Sequence, residues 1–175
     1  MYKLRELERE DLKSINKWRN DPHLIACLGA PYRYINEDVD GEWYTKYLHT
    51  RSDSVRCAII DDENEKDVLG LVSLLSINNI NRSGELHIMI GNAESRGKGL
   101  GMFAVKAMVD HAFDNLNLRR IELQVLENNV AAIGLYKKIG FVREGLKRES
   151  NYKNGRYENM MLMGLLKDEY NGGNR

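Results

Sequence analysis

Apolar positions along the chain switch between two periods, and the switches predict an order of elements. Residues 2–7 read as a first strand. Leu12, Ile15 and Trp18 then recur at helical spacing up to Asn20, Asp21 and Pro22, which stop the helix. Residues 27–34 read as a loop. Asn36 is placed to cap a second helix, with Glu37 and Asp38 in the first turn, where the helix dipole favours anions. Trp43, Tyr47 and Leu48 supply the apolar side of that helix. Residues 55–60 and 68–77 form a strand pair around the polar run 61–67. A second polar turn, 78–83, leads to a strand over 85–90.

Leu100, Phe103, Ala104, Ala107, Met108, His111 and Ala112 follow the helical period. Residues 120–126 alternate as a strand with Ile121, Leu123 and Val125 on one face. Residues 129–138 read as a helix that Gly140 ends. Segments 141–149 and 157–166 close the chain as a hairpin around Asn154 and Gly155. The sum is an α/β (α+β) chain, with a mixed sheet and helices on its faces.

Length and composition narrow the possibilities. The 175 residues fit one domain, expected over 1–170, with 171–175 as a frayed tail. Lys+Arg and Asp+Glu are each 26, so no basic field exists to hold a phosphate backbone, and no nucleic acid partner is expected. Cys27 and Cys57 lie in no metal-ligand spacing, which predicts free thiols and no metal. The first residues lack the apolar core of a signal peptide, and no apolar run reaches the roughly 20 residues a membrane helix needs. The expectation is a cytoplasmic protein with no membrane partner.

The chemistry concentrates in Arg96-Gly97-Lys98-Gly99-Leu100-Gly101, between a strand and an amphipathic helix. Glycines let the backbone approach a ligand closely, and the free amides of a helix start can hold an anion such as a pyrophosphate. A P-loop is excluded, because Lys98 is followed by Gly99 rather than Ser or Thr. A dinucleotide fingerprint is excluded, because the glycines are spaced G-x-G-x-G.

What the segment does resemble is the R-x-x-G-x-G acyl-CoA pyrophosphate loop of the GNAT superfamily of N-acetyltransferases, filled here by Arg96, Gly99 and Gly101. A second stretch, from Asn129 through Ala132, Leu135, Tyr136, Lys138 and Gly140 to Phe141, resembles that family's N-x-x-A-x-x-L-Y-x-K-x-G-F signature. Room for one helix and one strand separates the two motifs. The resemblance implies a GNAT-like fold with a mostly antiparallel sheet, and an acyltransferase that uses acetyl-CoA as co-substrate. It also implies site residues. Arg96, Gly97, Lys98, Gly99, Leu100 and Gly101, with Asn129 and Lys138, would hold acetyl-CoA, and main-chain amides near Met89 and Ile90 would hold its thioester and pantetheine.

Tyr136 stands where the family commonly has a tyrosine beside the CoA sulfur, and a phenol can give a proton to the departing thiolate. The base is open between Glu85 and His87, which share one face of their strand, and water. Asn129 can equally serve as a helix cap.

Within the superfamily the chain is similar to the branch of ribosomal-protein alanine acetyltransferases and spermidine acetyltransferases. The favoured acceptor is a peptide or protein N-terminus or a small amine, with spermidine or another polyamine as the alternative. Glu37, Asp38, Asp40 and Glu42 could form an acidic mouth for a polyamine. Against that, Gly29 and Ala30 stand where spermidine acetyltransferases carry glutamates, and Arg33 follows Pro31 and Tyr32. A non-catalytic acyl-CoA sensor is a further alternative. Self-association as a homo-oligomer is compatible with the fold.

Overall fold

The computed structural model describes residues 1–91 and 93–170. The tail expected to fray lies outside the described residues. Strand β1 (Tyr2–Glu6) is followed by helices α1 (Leu12–Arg19), α2 (Pro22–Ala26) and α3 (Glu37–His49). Strands β2 (Val55–Asp61), β3 (Asn64–Asn78) and β4 (Ser83–Ile90) come next. Helix α4 (Leu100–Asp110), strand β5 (Arg120–Leu126), helix α5 (Val130–Ile139) and the hairpin β6 (Val142–Lys153) and β7 (Arg156–Leu166) complete the chain. The strands form one sheet in the order β1-β2-β3-β4-β5-β7-β6. Every neighbouring pair is antiparallel except β4 and β5.

Helices cover both faces of the sheet. On one face α4 and α5 pack on Leu86, Ile121, Leu123 and Val125. On the other, Leu12, Ile15 and Trp18 of α1 and Tyr44 and Tyr47 of α3 pack together with Leu71 and Met89. Gly91 ends β4 beneath Trp18, and a Cβ there would lie 1.8 Å from the indole Cε2. The hairpin turn works as its sequence predicts. Asn154 (φ +50°) and Gly155 (φ +83°) both take the left-handed conformation that a tight two-residue turn requires.

The structure corrects the sequence reading at particular places. Strand β3 begins at Asn64, because the turn after β2 occupies only Asp62 and Glu63 and the ladder closes with Asp61 opposite Asn64. Polarity alone does not distinguish a turn from the polar end of a strand. Pro22 stops α1 but also starts α2, where the Asp21 carboxylate accepts from His23 N at 2.9 Å and Leu24 N at 3.3 Å. Leu48 is exposed, and the buried side of α3 is Tyr44 and Tyr47. Asn36 does cap α3, accepting from Val39 N at 3.0 Å.

Candidate active site

The sheet opens at its one parallel pair. The β4–β5 ladder consists of Ser83, Gly84 and Glu85 opposite Arg120, Ile121 and Glu122, and it stops there. Beyond it β4 pairs only with β3, and β5 only with β7. Gly91 N bonds Leu69 O at 3.0 Å, so the alternation of an antiparallel ladder directs the main chain of Met89 at Leu71. The main-chain groups of Ile88 and Ile90 therefore face the gap. That refines the sequence expectation: Ile90 is an amide candidate, and Met89 is not, because its polar groups are used in the β3 ladder.

The glycine segment follows at the open end of β4. Gly97 (φ +74°) and Gly99 (φ +84°) adopt left-handed backbone, a conformation in which a side chain costs about 1–2 kcal/mol. A Cβ at either would meet nothing within 4 Å, so conformation, not crowding, is what demands glycine there. Arg96 donates to Ile90 O at 3.3 Å and ties the loop to the strand. The first turn of α4 closes with Phe103 N to Gly99 O at 3.0 Å, so the amides of Leu100, Gly101 and Met102 precede the first bond of the helix. Lys98 is exposed beside them. This geometry suits a pyrophosphate.

Helix α5 brings Tyr136 to the same side. A Cβ on Gly101 would lie 2.9 Å from Leu135 Cδ1, which shows how closely α4 and α5 approach. Tyr136 is buried at 7% exposure, edge-on to Phe141 with ring centroids 5.8 Å apart. Burial pushes its phenol up to about 12. Its hydroxyl makes no hydrogen bond among the described residues, so a ligand atom could become its partner. Asn129 caps α5, accepting from Ala132 N at 3.1 Å, and its amide donates to Cys27 O at 3.0 Å. Both ends of that side chain thus serve the fold. Lys138 is exposed on α5 and makes no ion pair with the described residues.

Glu85 and His87 lie on the opposite face of the sheet from Tyr136, as their alternation with Leu86 requires. Glu85 Oε1 is 3.3 Å from His87 Nε2 and accepts from Gln124 Nε2 at 3.4 Å. Gln124 Oε1 in turn accepts from Lys147 Nζ at 3.1 Å. Gln124 and Lys147 were not singled out from the sequence. The signal for Gln124 was the polar face of β5, which alternates with Ile121, Leu123 and Val125; Lys147, on β6, had none. A carboxylate on one face and a phenol on the other can meet a single ligand where the sheet is split, between β4 and β5.

The acidic mouth predicted on α3 is only partly there. Asp40 is completely buried, paired with Arg19 and accepting from Asn16 Nδ2 at 2.7 Å. Glu37, Asp38 and Glu42 remain exposed. A different acidic concavity lies past the end of β5. It is a cavity of about 330 Å³ lined by Glu127, Asn128, Glu149, Tyr157, Glu158 and Asn159. Among the described residues no group of three or more His, Cys, Asp or Glu could hold a metal ion, and no helix is long and apolar enough to cross a membrane.

Known proteins share this fold. The family described as "Acetyltransferase (GNAT) domain" matches residues 2–142. A spermidine N(1)-acetyltransferase of Vibrio cholerae serotype O1 is 35% identical over 168 residues, which cover 95% of this chain and 94% of that protein. A spermidine N(1)-acetyltransferase of Escherichia coli (strain K12) is 36% identical over 169 residues, covering 96% and 87%. The crystal structure of spermidine N-acetyltransferase from Vibrio cholerae in complex with CoA and spermine superposes with a TM-score of 0.90 at 34% identity, covering 97% of both chains. The seven-stranded mixed sheet, the split between β4 and β5 and the whole-chain likeness lead to one conclusion: this chain belongs to the GNAT acetyltransferases and is an N-acetyltransferase that uses acetyl-CoA.

Proposed function

We propose that the acceptor is a polyamine, with spermidine the first candidate. What carries this reading is the likeness, over nearly the whole chain, to proteins named as spermidine N-acetyltransferases. It replaces the peptide N-terminus or small amine favoured by the residues around Pro31 and Tyr32. The carboxylates of Glu127 and Glu149 around one cavity, which Glu158 also lines while paired with Arg156, give a polycation a source of attraction that Gly29 and Ala30 do not supply.

The reaction places each candidate residue in a role. The glycine segment and the start of α4 hold the pyrophosphate of acetyl-CoA, and the thioester lies in the gap beside the main chain of Ile88 and Ile90. A donor there stabilises the oxygen of the tetrahedral intermediate. The amine approaches from the Glu85 face. Its nitrogen bonds to the acetyl carbon, the carbon–sulfur bond breaks, and the surplus proton of the amine goes to Glu85, directly or through water. Tyr136 meets the sulfur from the other face. A phenol at about 12 is a weaker acid than a thiol near 8.5, so full transfer to a free thiolate is uphill. Its contribution is therefore a hydrogen bond to the sulfur as charge develops, and the thiolate takes its final proton from solvent.

Thiol release from acetyl-CoA, measured with spermidine, spermine and short peptides with Ala or Ser N-termini, tests the acceptor. The expected result is a kcat/KM for spermidine at least tenfold above that of any peptide. The reverse order would return the assignment to a peptide or protein N-terminus.

A further inference from the structure

The loop after α2 is held by side chains from the far end of the sequence. Lys153 Nζ donates to Ile25 O at 2.8 Å and to Ala30 O at 2.6 Å, across 128 and 123 positions of chain. Asn151 Nδ2 donates to Gly29 O at 2.7 Å, and Asn129 Nδ2 to Cys27 O at 3.0 Å. Loop carbonyls ordinarily turn to water. Here two of them, those of Ile25 at the end of α2 and of Ala30, accept from the ammonium of Lys153, a residue only 8% exposed. A buried ammonium is costly unless its lost hydration is replaced, and carbonyl oxygens at these distances replace it. Burial still draws the Lys153 pKa below its ordinary value. The hairpin makes the placement possible, because Lys153 is the last residue of β6, opposite Arg156 and just before the Asn154-Gly155 turn.

The loop sits where the open face of the sheet ends. On β5 the exposed Glu122 and Gln124 share a face with Leu126, and Leu126 is buried at 2%. Leu126 pairs with Met160, and a Cβ on Gly29 would lie 3.0 Å from Met160 Cε. The loop therefore closes the face just beyond Gln124, the residue that donates to Glu85.

We propose that Lys153 is a positioning residue for the acceptor: its ammonium bridges the carbonyls of Ile25 and Ala30 and fixes the segment between them as a wall of the acceptor groove. The inference rests on the reading of the Glu85 face as the acceptor side. It goes beyond that reading in giving the wall a built-in cation, so that no bound amine is needed to set it. Asn151 and Asn129 hold the intervening carbonyls, and Lys153 holds both ends.

The test is Lys153→Met, which keeps the stem and removes the ammonium. Two readouts are taken, with whichever acceptor class the amine panel selects, so that failure of the polyamine assignment leaves the inference readable. Hydrogen exchange of amides 25–31 should quicken at least tenfold while β5 and β7 stay as they are. The acceptor KM should rise about tenfold, with the acetyl-CoA KM and kcat within about twofold. Asn151→Leu, which removes the bond to Gly29 O and a weaker one to Met160 Sδ but leaves the ammonium, should shift both readouts in the same direction by less, and it decides the matter should Lys153→Met not fold. Unchanged exchange in the loop, or equal rises in both KM values, would overturn the inference.

Discussion

The two ends of the active-site gap are built in opposite ways. At the proposed cofactor end, residues 96–101 form one consecutive run, and Arg96 ties it back to Ile90. At the proposed acceptor end, the 25–30 segment is held by Asn129, Asn151 and Lys153, more than one hundred positions away. The first kind of site can be found from spacing. The second exists only after the sheet has formed, because a β6 lysine and an α2 carbonyl become neighbours through the fold alone. The pyrophosphate is common to every reaction of the enzyme, and a short local motif suits it. The acceptor is where specificity lies, and there the chain uses contacts that no short window contains.

Tyr136, between the two ends, gives the largest expected effect. Tyr136→Phe should lower kcat roughly 100-fold, the order that one well-placed donor contributes. Acetyl-CoA affinity, read by calorimetry, and the acceptor KM should move by less than about threefold. The pH dependence sharpens the same point. The phenol is raised from 10.0 to about 12 by burial, so it stays protonated throughout the working range, and the wild-type rate should show no inflection from it below about pH 11. A folded pKa above the unfolded value adds stability that is complete below about 10 and is lost as pH rises through about 12. Alkaline unfolding should therefore steepen more in that window for wild type than for Tyr136→Phe, in which Tyr47 and Cys57, also raised by burial, still contribute. Full turnover by the phenylalanine variant would remove the residue from the chemistry.

How much of this was legible in the sequence follows from the same contrast. The element order apart from α2, the caps at Asn36 and Asn129, the stop at Gly140 and the Asn154-Gly155 turn are local and could be read directly. Asp40 could not: among acidic neighbours it looks solvated, and only its pairing with Arg19 and Asn16 of α1 explains why it is buried. The start of β3 at Asn64 was hidden because its polar residues satisfy a backbone ladder, which leaves no apolar pattern. Met89 and Ile90 were indistinguishable in sequence, and the register of β4 on β3 separates them. Gln124 and Lys147 acquire meaning only from their distances to Glu85 and to each other.

Asn129 belongs to both ends, and changing it should blur the comparison. Asn129→Ala removes the cap of α5, a loss of about 0.5–2 kcal/mol, together with the bond to Cys27 O. Both KM values should rise, each about fivefold, with a lower midpoint in chemical denaturation. A rise in the acetyl-CoA KM alone would mean that the bond to Cys27 does nothing for the acceptor wall, and the two ends would be more separate than the structure implies.

Lys138 gives the smallest expected effect and tests how far a motif should be trusted without geometry. The family signature includes it, yet the structure places it exposed in the last turn of α5, beside Lys137. There a cation favours the helix dipole by a few tenths of a kcal/mol, which is reason enough for a lysine. Lacking a fixed partner among the described residues, its charge can reach the phosphates only at long range. Screening at physiological ionic strength, with a Debye length of about 8 Å, takes most of that away. Lys138→Gln should therefore weaken acetyl-CoA binding by less than about twofold at 0.15 M salt, and the difference should widen at 0.01 M. A loss of tenfold or more at 0.15 M would mean that Lys138 touches the coenzyme directly, and that the cofactor end extends from the start of α4 along α5 to its last turn.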